Sequence, residues 1–353
     1  TEIYTLSLHD ALPICLLSVA DRLVMIVICS VLLWGGVTTG GFRIEWFVWA
    51  QTAAYFTVMC AAFIIVVRKG RVAAVKPDTS VLKSIIMTGL PYSVVVFAMT
   101  LYWRMDSVMI ERLLPDGATR AGNYAQAFRL FDALAMIPVL FGGMLLPIMT
   151  RGLSSDSDIR PLSRMAGRML IVPLGIGAVT LATFPAEMLD ILYTSPVENA
   201  VTAFRILMIT LVPVGVIYIY STMLTASWKL KMLGVITVSG MIINLSLNRI
   251  LIPELGPSGA ACTALVTQSL VAVACMLTVR RTMSGIAGNG RILLFLLMLG
   301  LTFLAGWLLS RTGIPWTAAA ALQLAAGILL ALLFRFIEPL SSLKLITGRF
   351  GTA

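Results

Sequence analysis

The sequence predicts an all-α integral membrane protein, a polytopic helical bundle of about ten transmembrane helices. Three observations carry the prediction. Hydrophobic residues make up 59% of the 353 and charged residues only 12%, about half the charge of a soluble domain. The remaining charge collects in short basic connections between long apolar runs. Each run is long enough to cross the roughly 30 Å hydrocarbon core, which takes about 20 helical residues. In lipid only a helix or a closed barrel satisfies its own backbone polar groups. The runs lack two-residue alternation and are about twice the length of a barrel strand, which selects helices.

The first fourteen residues, Thr1 to Ile14, read unlike the rest. They have no helical period and are broken by His9, Asp10 and Pro13. They lack the basic start and small-residue cleavage site of a signal peptide. Residues 1–14 are therefore expected to be a non-native leader resembling translated sequencing adapter, with the native start upstream of Cys15.

Ten spans are predicted, at 23–39, 46–67, 85–110, 122–149, 165–184, 204–227, 231–252, 258–279, 291–310 and 315–336. The third and fourth exceed the bilayer thickness, so their ends should project or tilt. The longest basic connection, Arg68 to Lys83, has two spans before it and eight after, and is expected to form the boundary between a pair of helical lobes. This divides the chain into a two-helix segment at 15–67, a linker at 68–84, a six-helix lobe at 85–280 and two further helices with a tail at 281–353.

The net charge is +10. Of the 26 lysines and arginines, eighteen fall on one side of the predicted membrane, six on the other, and Arg104 and Arg129 inside spans. The richer side, which includes 68–84, is expected to be cytoplasmic. Basic residues dealt out between membrane runs, rather than gathered on one polar face, argue against nucleic acid as a partner and leave membrane lipids.

Nothing points to a metal, a cofactor or an enzyme. Cys15, Cys29, Cys60, Cys262 and Cys275 lie in apolar stretches without a CxxC pair, and His9 stands alone, so the cysteines read as small apolar residues. The largest outer connection, 185–203, offers Glu187, Asp190 and Glu198 but no histidine, and is too short for a catalytic domain. The cytoplasmic connections hold no phosphate-cradling glycine motif, and no nucleophile-and-base set is present.

The chemistry sits in four intramembrane charges. An ionised side chain at mid-bilayer costs at least ~2.5–3.5 kcal/mol and needs a partner or a wet cavity. Arg104 and Asp106 lie near the outer end of the third span, and Arg129 and Asp132 near the outer end of the fourth. A rise of 1.5 Å per residue puts all four roughly 6–15 Å below the outer surface. The connection at 111–121 makes the two spans antiparallel neighbours. Two readings coexist. In one, Arg104 pairs with Asp132 and Asp106 with Arg129, locking the hairpin. In the other, an arginine faces a central wet cavity and attracts an anion. Arg129 is the preferred cavity residue, because it lies deeper than Arg104 and Asp132 at i+3 could orient it.

Other polar and small residues read as packing. Asn244 and Asn248 share one helix face and suit interhelical hydrogen bonds, as do Gln126, Gln268 and Gln323. Gly89, Pro91, Gly122 and Tyr124 are assigned structural roles, and Gly256 to Ala261 a close helix contact with Ser258 as N-cap. Prolines inside spans kink helices. Trp103, Trp228, Trp307 and Trp316 sit near span ends, as an interfacial belt does.

The order of local features is specific: Gly89-Leu90-Pro91, then Tyr102-Trp103-Arg104-Met105-Asp106, then Ala121 to Leu130, then Pro138 and Leu146-Pro147, then Asn244 and Asn248, then Ile252-Pro253 and Gly256 to Ala261. Over roughly residues 16–280 this order resembles the second half of the bacterial polysaccharide flippases of the multidrug/oligosaccharidyl-lipid/polysaccharide (MOP) superfamily, relatives of the MATE transporters. The resemblance implies a two-lobe MATE-like architecture of twelve to fourteen spans. Residues 15–67 would be helices five and six of an incomplete N-terminal lobe, 68–84 the inter-lobe linker, and the last two spans the optional thirteenth and fourteenth helices. It implies a flippase or exporter of a polyprenyl-diphosphate-linked oligosaccharide (O-antigen, capsule or exopolysaccharide precursor) in the bacterial inner membrane. A polysaccharide polymerase and glycosyltransferases are its implied partners. Arg129 and Arg104, with Asp132 and Asp106, would line the substrate cavity, since a guanidinium fork grips phosphate oxygens. MATE-type cation-coupled drug efflux, lipid II flipping and a non-transporting scaffold for polysaccharide assembly are the alternatives.

Overall fold

A computed structural model describes residues 8–34, 44–70, 79–155, 159–194, 197–282 and 291–336. Among them the chain forms eleven helices: α1 (Leu8–Trp34), α2 (Ile44–Gly70), α3 (Thr79–Leu113), α4 (Gly117–Ser154), α5 (Arg160–Thr183), α6 (Pro185–Leu192), α7 (Glu198–Ala226), α8 (Leu230–Leu255), α9 (Pro257–Thr282), α10 (Ile292–Leu309) and α11 (Trp316–Leu333). Nine of these are long and apolar enough to cross a membrane, and they coincide with the second to tenth predicted spans. The protein is an all-α, multi-pass membrane protein.

The differences from the predicted elements lie at the ends. α1 reaches back to Leu8, into the segment set aside as a leader, and the end of the first predicted span, 35–39, lies outside the described residues. The apolar stretch of α3 runs Ser93–Leu113, so Gly89 sits in a helical extension ahead of it. α6 falls inside the connection expected at 185–203. At 8 residues it is too short to cross a membrane, yet Pro185 and Leu189 are buried and the helix packs on α7.

Two compact units are present, one ending at Lys83 and one beginning at Ser84. In the first, α1 and α2 form a hairpin. Ala50 and Ala54, four apart on α2, are its most buried residues. Small side chains on one face are what close helix approach in lipid requires, because lipid tails supply no hydrophobic drive between helices.

The second unit is built around α7, which carries the most buried face of the lobe and packs against α4, α5 and α9. α8 lies on α9, and α10 and α11 pair with each other and with α5. The core divides along the lobe's length. Near the α3–α4 turn it is made by Tyr124, Phe131, Phe204, Leu207, Met208 and Leu211. Toward the α4–α5 turn it is made by Met149, Leu170, Ile219, Met223, Leu224 and Cys275. A third cluster, including Val172, Ile176 and Met298, holds the terminal pair to α5.

Turns are short. α8 and α9 are joined by Gly256 alone, at φ 61°. Three residues on, a Cβ at Gly259 would overlap the Leu251 carbonyl oxygen, so the small-residue run does close the α8–α9 contact. Its cap differs from expectation: α9 begins at Pro257 and takes in Ser258. Proline suits a first helical position, where its missing N–H is not needed.

Candidate functional site

The site grows from the α3–α4 hairpin. Asp116, at φ 56°, turns the chain between the two helices, which sets them side by side and antiparallel. On α3 the buried positions are Val95, Ala98, Tyr102, Asp106 and Ile110, the i, i+3, i+4 spacing of one helix face. Asp106 therefore points into the lobe, whereas Arg104, two residues earlier, is exposed. On α4, Tyr124, Ala127, Phe131 and Ala135 face inward, while Arg129 is exposed and Asp132 half-buried. The four predicted charges thus separate into a surface group and a buried one.

At the surface, Arg104 Nη2 meets Asp132 Oδ2 at 3.3 Å. The same guanidinium lies 5.9 Å from the Phe128 ring centroid, a cation–π distance. Arg129 makes no ion pair among the described residues. The surface group therefore carries one arginine more than it has carboxylates. α4 has 38 residues, about 57 Å of helix, so it overhangs a 30 Å core by about 13 Å at each end if centred. Arg129 then lies about 5 Å inside the hydrocarbon boundary, a depth from which its guanidinium reaches the headgroup layer and can meet an anion.

The expected pairing of Asp106 with Arg129 is not formed. The two side chains leave the hairpin on opposite sides, Asp106 inward at 3% exposure and Arg129 outward. Asp106 instead accepts hydrogen bonds from the Tyr124 hydroxyl at 3.0 Å and the Asn248 amide at 2.7 Å. Asn248 also donates to Asn244 Oδ1 at 3.1 Å. One turn back on α3, the Tyr102 hydroxyl donates to Gln268 Oε1 at 3.1 Å. A polar column joining α3, α4, α8 and α9 results. The buried Asn244 Nδ2, Asn248 Oδ1 and the hydroxyls of Thr263 and Thr267 have no partner among the described residues. Sequence reading passed over Thr263 and Thr267, although their spacing of four mirrors that of Asn244 and Asn248 and was the available signal.

Asp106 is thus removed from water with two hydrogen bonds and, among the described residues, no ion-pair partner, an incomplete charge balance. Among the described residues no three His, Cys, Asp or Glu side chains come together as a cluster, and Asp106 is an acid held by this hydrogen-bonded column.

The remaining assignments resolve as follows. A Cβ at Gly89 or Gly122 would meet nothing within 4 Å, and both are exposed. The Pro91 side chain lies outside the described residues. Gln323, buried on α11, donates to Thr183 Oγ1 at 2.9 Å and to the Thr302 carbonyl at 3.2 Å. Trp103 packs within the hairpin. It stacks on Phe131 with centroids 5.6 Å apart and meets Phe128 edge-on at 6.4 Å, joining α3 to α4 beside the Arg104–Asp132 pair.

Comparison with known proteins agrees with this architecture. Residues 7–153 match the family model described as polysaccharide biosynthesis protein. No curated protein matches the chain. Among solved structures, the lipid II flippase MurJ in an inward closed conformation is similar, with TM-score 0.62 at 14% identity over 96% of this chain and 68% of that one. A MOP-superfamily transporter from Pyrococcus furiosus has TM-score 0.47 at 19% identity, over 74% of this chain and 67% of that one. An outward-facing multidrug resistance MATE-family transporter has TM-score 0.46 at 18% identity, over the same shares. The likeness to the first of these shows a shared fold. The chain is thus similar to the polysaccharide biosynthesis family over residues 7–153 and shares the fold of the MurJ structure.

Proposed function

We propose that the protein moves a polyprenyl-diphosphate-linked oligosaccharide, the precursor of an O-antigen, capsule or exopolysaccharide, across the bacterial inner membrane. The observation that carries this reading is Arg129: an exposed arginine on a membrane-crossing helix, without an ion-pair partner among the described residues, beside the Arg104–Asp132 pair. A diphosphate is the anion such a site fits, because guanidinium forks bind its oxygens bidentately and keep their charge. The sugar head passes through a wet path while the lipid tail stays in the bilayer, and no bond is made or broken. The polysaccharide polymerase and glycosyltransferases are the partners this role calls for.

The buried column supplies a coupling element. A proton or small cation held at Asp106 would tie α3 to α8, and its release would loosen them. Drug efflux by a cation-coupled relative is disfavoured, since the acid a cationic drug would need is 3% exposed, whereas the exposed charges have an excess of arginine.

The test is reconstitution of the chain in vesicles with a fluorescent polyprenyl-diphosphate oligosaccharide. Transfer between leaflets faster than in empty vesicles, slowed by excess unlabelled cargo, supports the proposal; transfer at the empty-vesicle rate refutes it. Lipid II as competitor distinguishes the cargoes: it slows transfer only if the site accepts both. Asp106→Asn should leave transfer measurable but insensitive to an imposed ion gradient.

A further inference from the structure

The end of the lobe at the α7–α8 turn gathers cations from two elements. Lys229 is the N-cap of α8 and Lys231 lies in its first turn, while Arg280 and Arg281 occupy the last turn of α9. The Lys229 ammonium donates to the Thr282 carbonyl at 3.4 Å, which holds the turn beside the end of α9. Neither stretch contains an acid: the sequence has none between Glu198 and Glu254 or between Glu254 and Glu338. None of the four cations makes an ion pair among the described residues.

Helix electrostatics does not account for this grouping. Arg280 and Arg281 suit the C-terminus of α9, but Lys231 sits near an N-terminus, where the helix dipole repels a cation. Arg280 is half-buried, and its Nε is shut off from solvent without a hydrogen-bond partner among the described residues. Its guanidinium therefore has donors unmet inside the chain.

Trp228 is an independent sign of an outside partner. At the end of α7 its N–H donates to the Thr225 carbonyl at 3.0 Å, and the Lys229 N–H donates to the Leu224 carbonyl at 2.9 Å. This closing pattern puts one residue in the left-handed region, where glycine is usual. Trp228 takes that place at φ 57°, a strained conformation for a bulky residue. Its side chain is 83% exposed, so packing within the lobe does little to offset the strain. An exposed indole at the end of a membrane-crossing helix suits the headgroup layer, where one part of the ring meets lipid and its N–H meets water.

The depth agrees. α8 and α9 have 26 residues each, about 39 Å of helix. Centred on a 30 Å core they extend about 4–5 Å beyond it at each end, within a headgroup layer roughly 5–7 Å thick. Phospholipid phosphates lie at that level.

We propose that Trp228, Lys229, Lys231, Arg280 and Arg281 form a headgroup site for an anionic phospholipid. The phosphate sits among the cations and the indole lies beside the glycerol. Charge of a single sign selects a net-negative headgroup over a zwitterionic one, although both carry a phosphodiester. The site is at the opposite end of the lobe from Arg104 and Arg129, and it does not depend on the proposed cargo.

The test is native mass spectrometry of the full chain titrated with phosphatidylglycerol and with phosphatidylcholine. The native chain should bind the first phosphatidylglycerol at least about tenfold more tightly, since each basic residue at a membrane surface contributes several-fold. Lys231→Gln with Arg280→Gln should remove that preference. Arg112→Gln with Arg249→Gln, the same charge change at the other end of the lobe, should leave it intact. Trp228→Gly should weaken phosphatidylglycerol binding without lowering the unfolding temperature, because glycine accepts the left-handed turn. A photoreactive residue in place of Trp228 should crosslink phosphatidylglycerol in preference to phosphatidylcholine from an equimolar mixture, a readout that does not depend on how the double variant folds. Equal affinity of the native chain for the two lipids, or a preference that survives Lys231→Gln with Arg280→Gln, overturns the proposal. Displacement of phosphatidylglycerol by an equal concentration of inorganic phosphate also overturns it, because the site would then be one for a soluble anion.

Discussion

The side-chain amide of Asn248 donates to Asp106 Oδ1 across 2.7 Å, while Tyr124 donates to the other carboxylate oxygen across 3.0 Å. One acid on α3 is thus held from α8 and α4 together. Replacing Asn248 by Leu strands the carboxylate and should lower stability by about 1–3 kcal/mol, the cost of an unmet buried polar group. Tyr124→Phe removes one donor and should cost about 1 kcal/mol. Thermal unfolding in detergent measures both.

The Arg104–Asp132 pair should contribute little to stability. Its arginine side chain is 64% exposed, and exposed pairs are worth about 0.2–1 kcal/mol. A double-mutant cycle with Arg104→Ala and Asp132→Ala should return a coupling energy no greater than that. A coupling of several kcal/mol would show that the pair is desolvated and locks the hairpin.

Glycines on these helices separate into two kinds that look alike in sequence. At Gly259 an added methyl overlaps the Leu251 carbonyl, so Gly259→Ala should destabilise by about 1–3 kcal/mol, as overpacking does. At Gly89 it meets open space, so Gly89→Ala should be neutral or stabilising by about 0.5–1 kcal/mol, through helix propensity alone. Unfolding temperatures of the two variants give the contrast directly.

The same contrast shows where sequence reading reached and where it stopped. Span number and position follow from apolar run length, because backbone satisfaction in lipid leaves few other options. The four charges were visible because ionised groups are rare in such runs, and the Arg104–Asp132 contact followed from depth matching across a hairpin. The partner of Asp106 did not, because depth does not specify facing. Asp106 and Arg104 differ by two positions, about 200° around the helix, so one must point inward when the other points out. Asn244 and Asn248 were legible as a polar face, yet nothing in their spacing showed that the face meets α3. The cavity lined by Gly142 and Gly143 was invisible altogether: the two glycines carry no local signal, and the cavity exists only where α3, α4, α7, α8 and α9 assemble.

Arg129 is where the account is most exposed to test. The decisive measurement is the initial rate of leaflet transfer of a labelled polyprenyl-diphosphate oligosaccharide in vesicles holding the native chain, Arg129→Gln, or Arg120→Gln as a control arginine on the same helix. At about 1.4 kcal/mol per tenfold, the loss of one charge-assisted hydrogen bond to phosphate, worth about 1.5–3 kcal/mol, predicts a rate lower by roughly 10- to 100-fold in Arg129→Gln and little changed in Arg120→Gln. Equal rates in native protein and Arg129→Gln, with both folded, would contradict the assignment of Arg129 as the residue that receives the diphosphate.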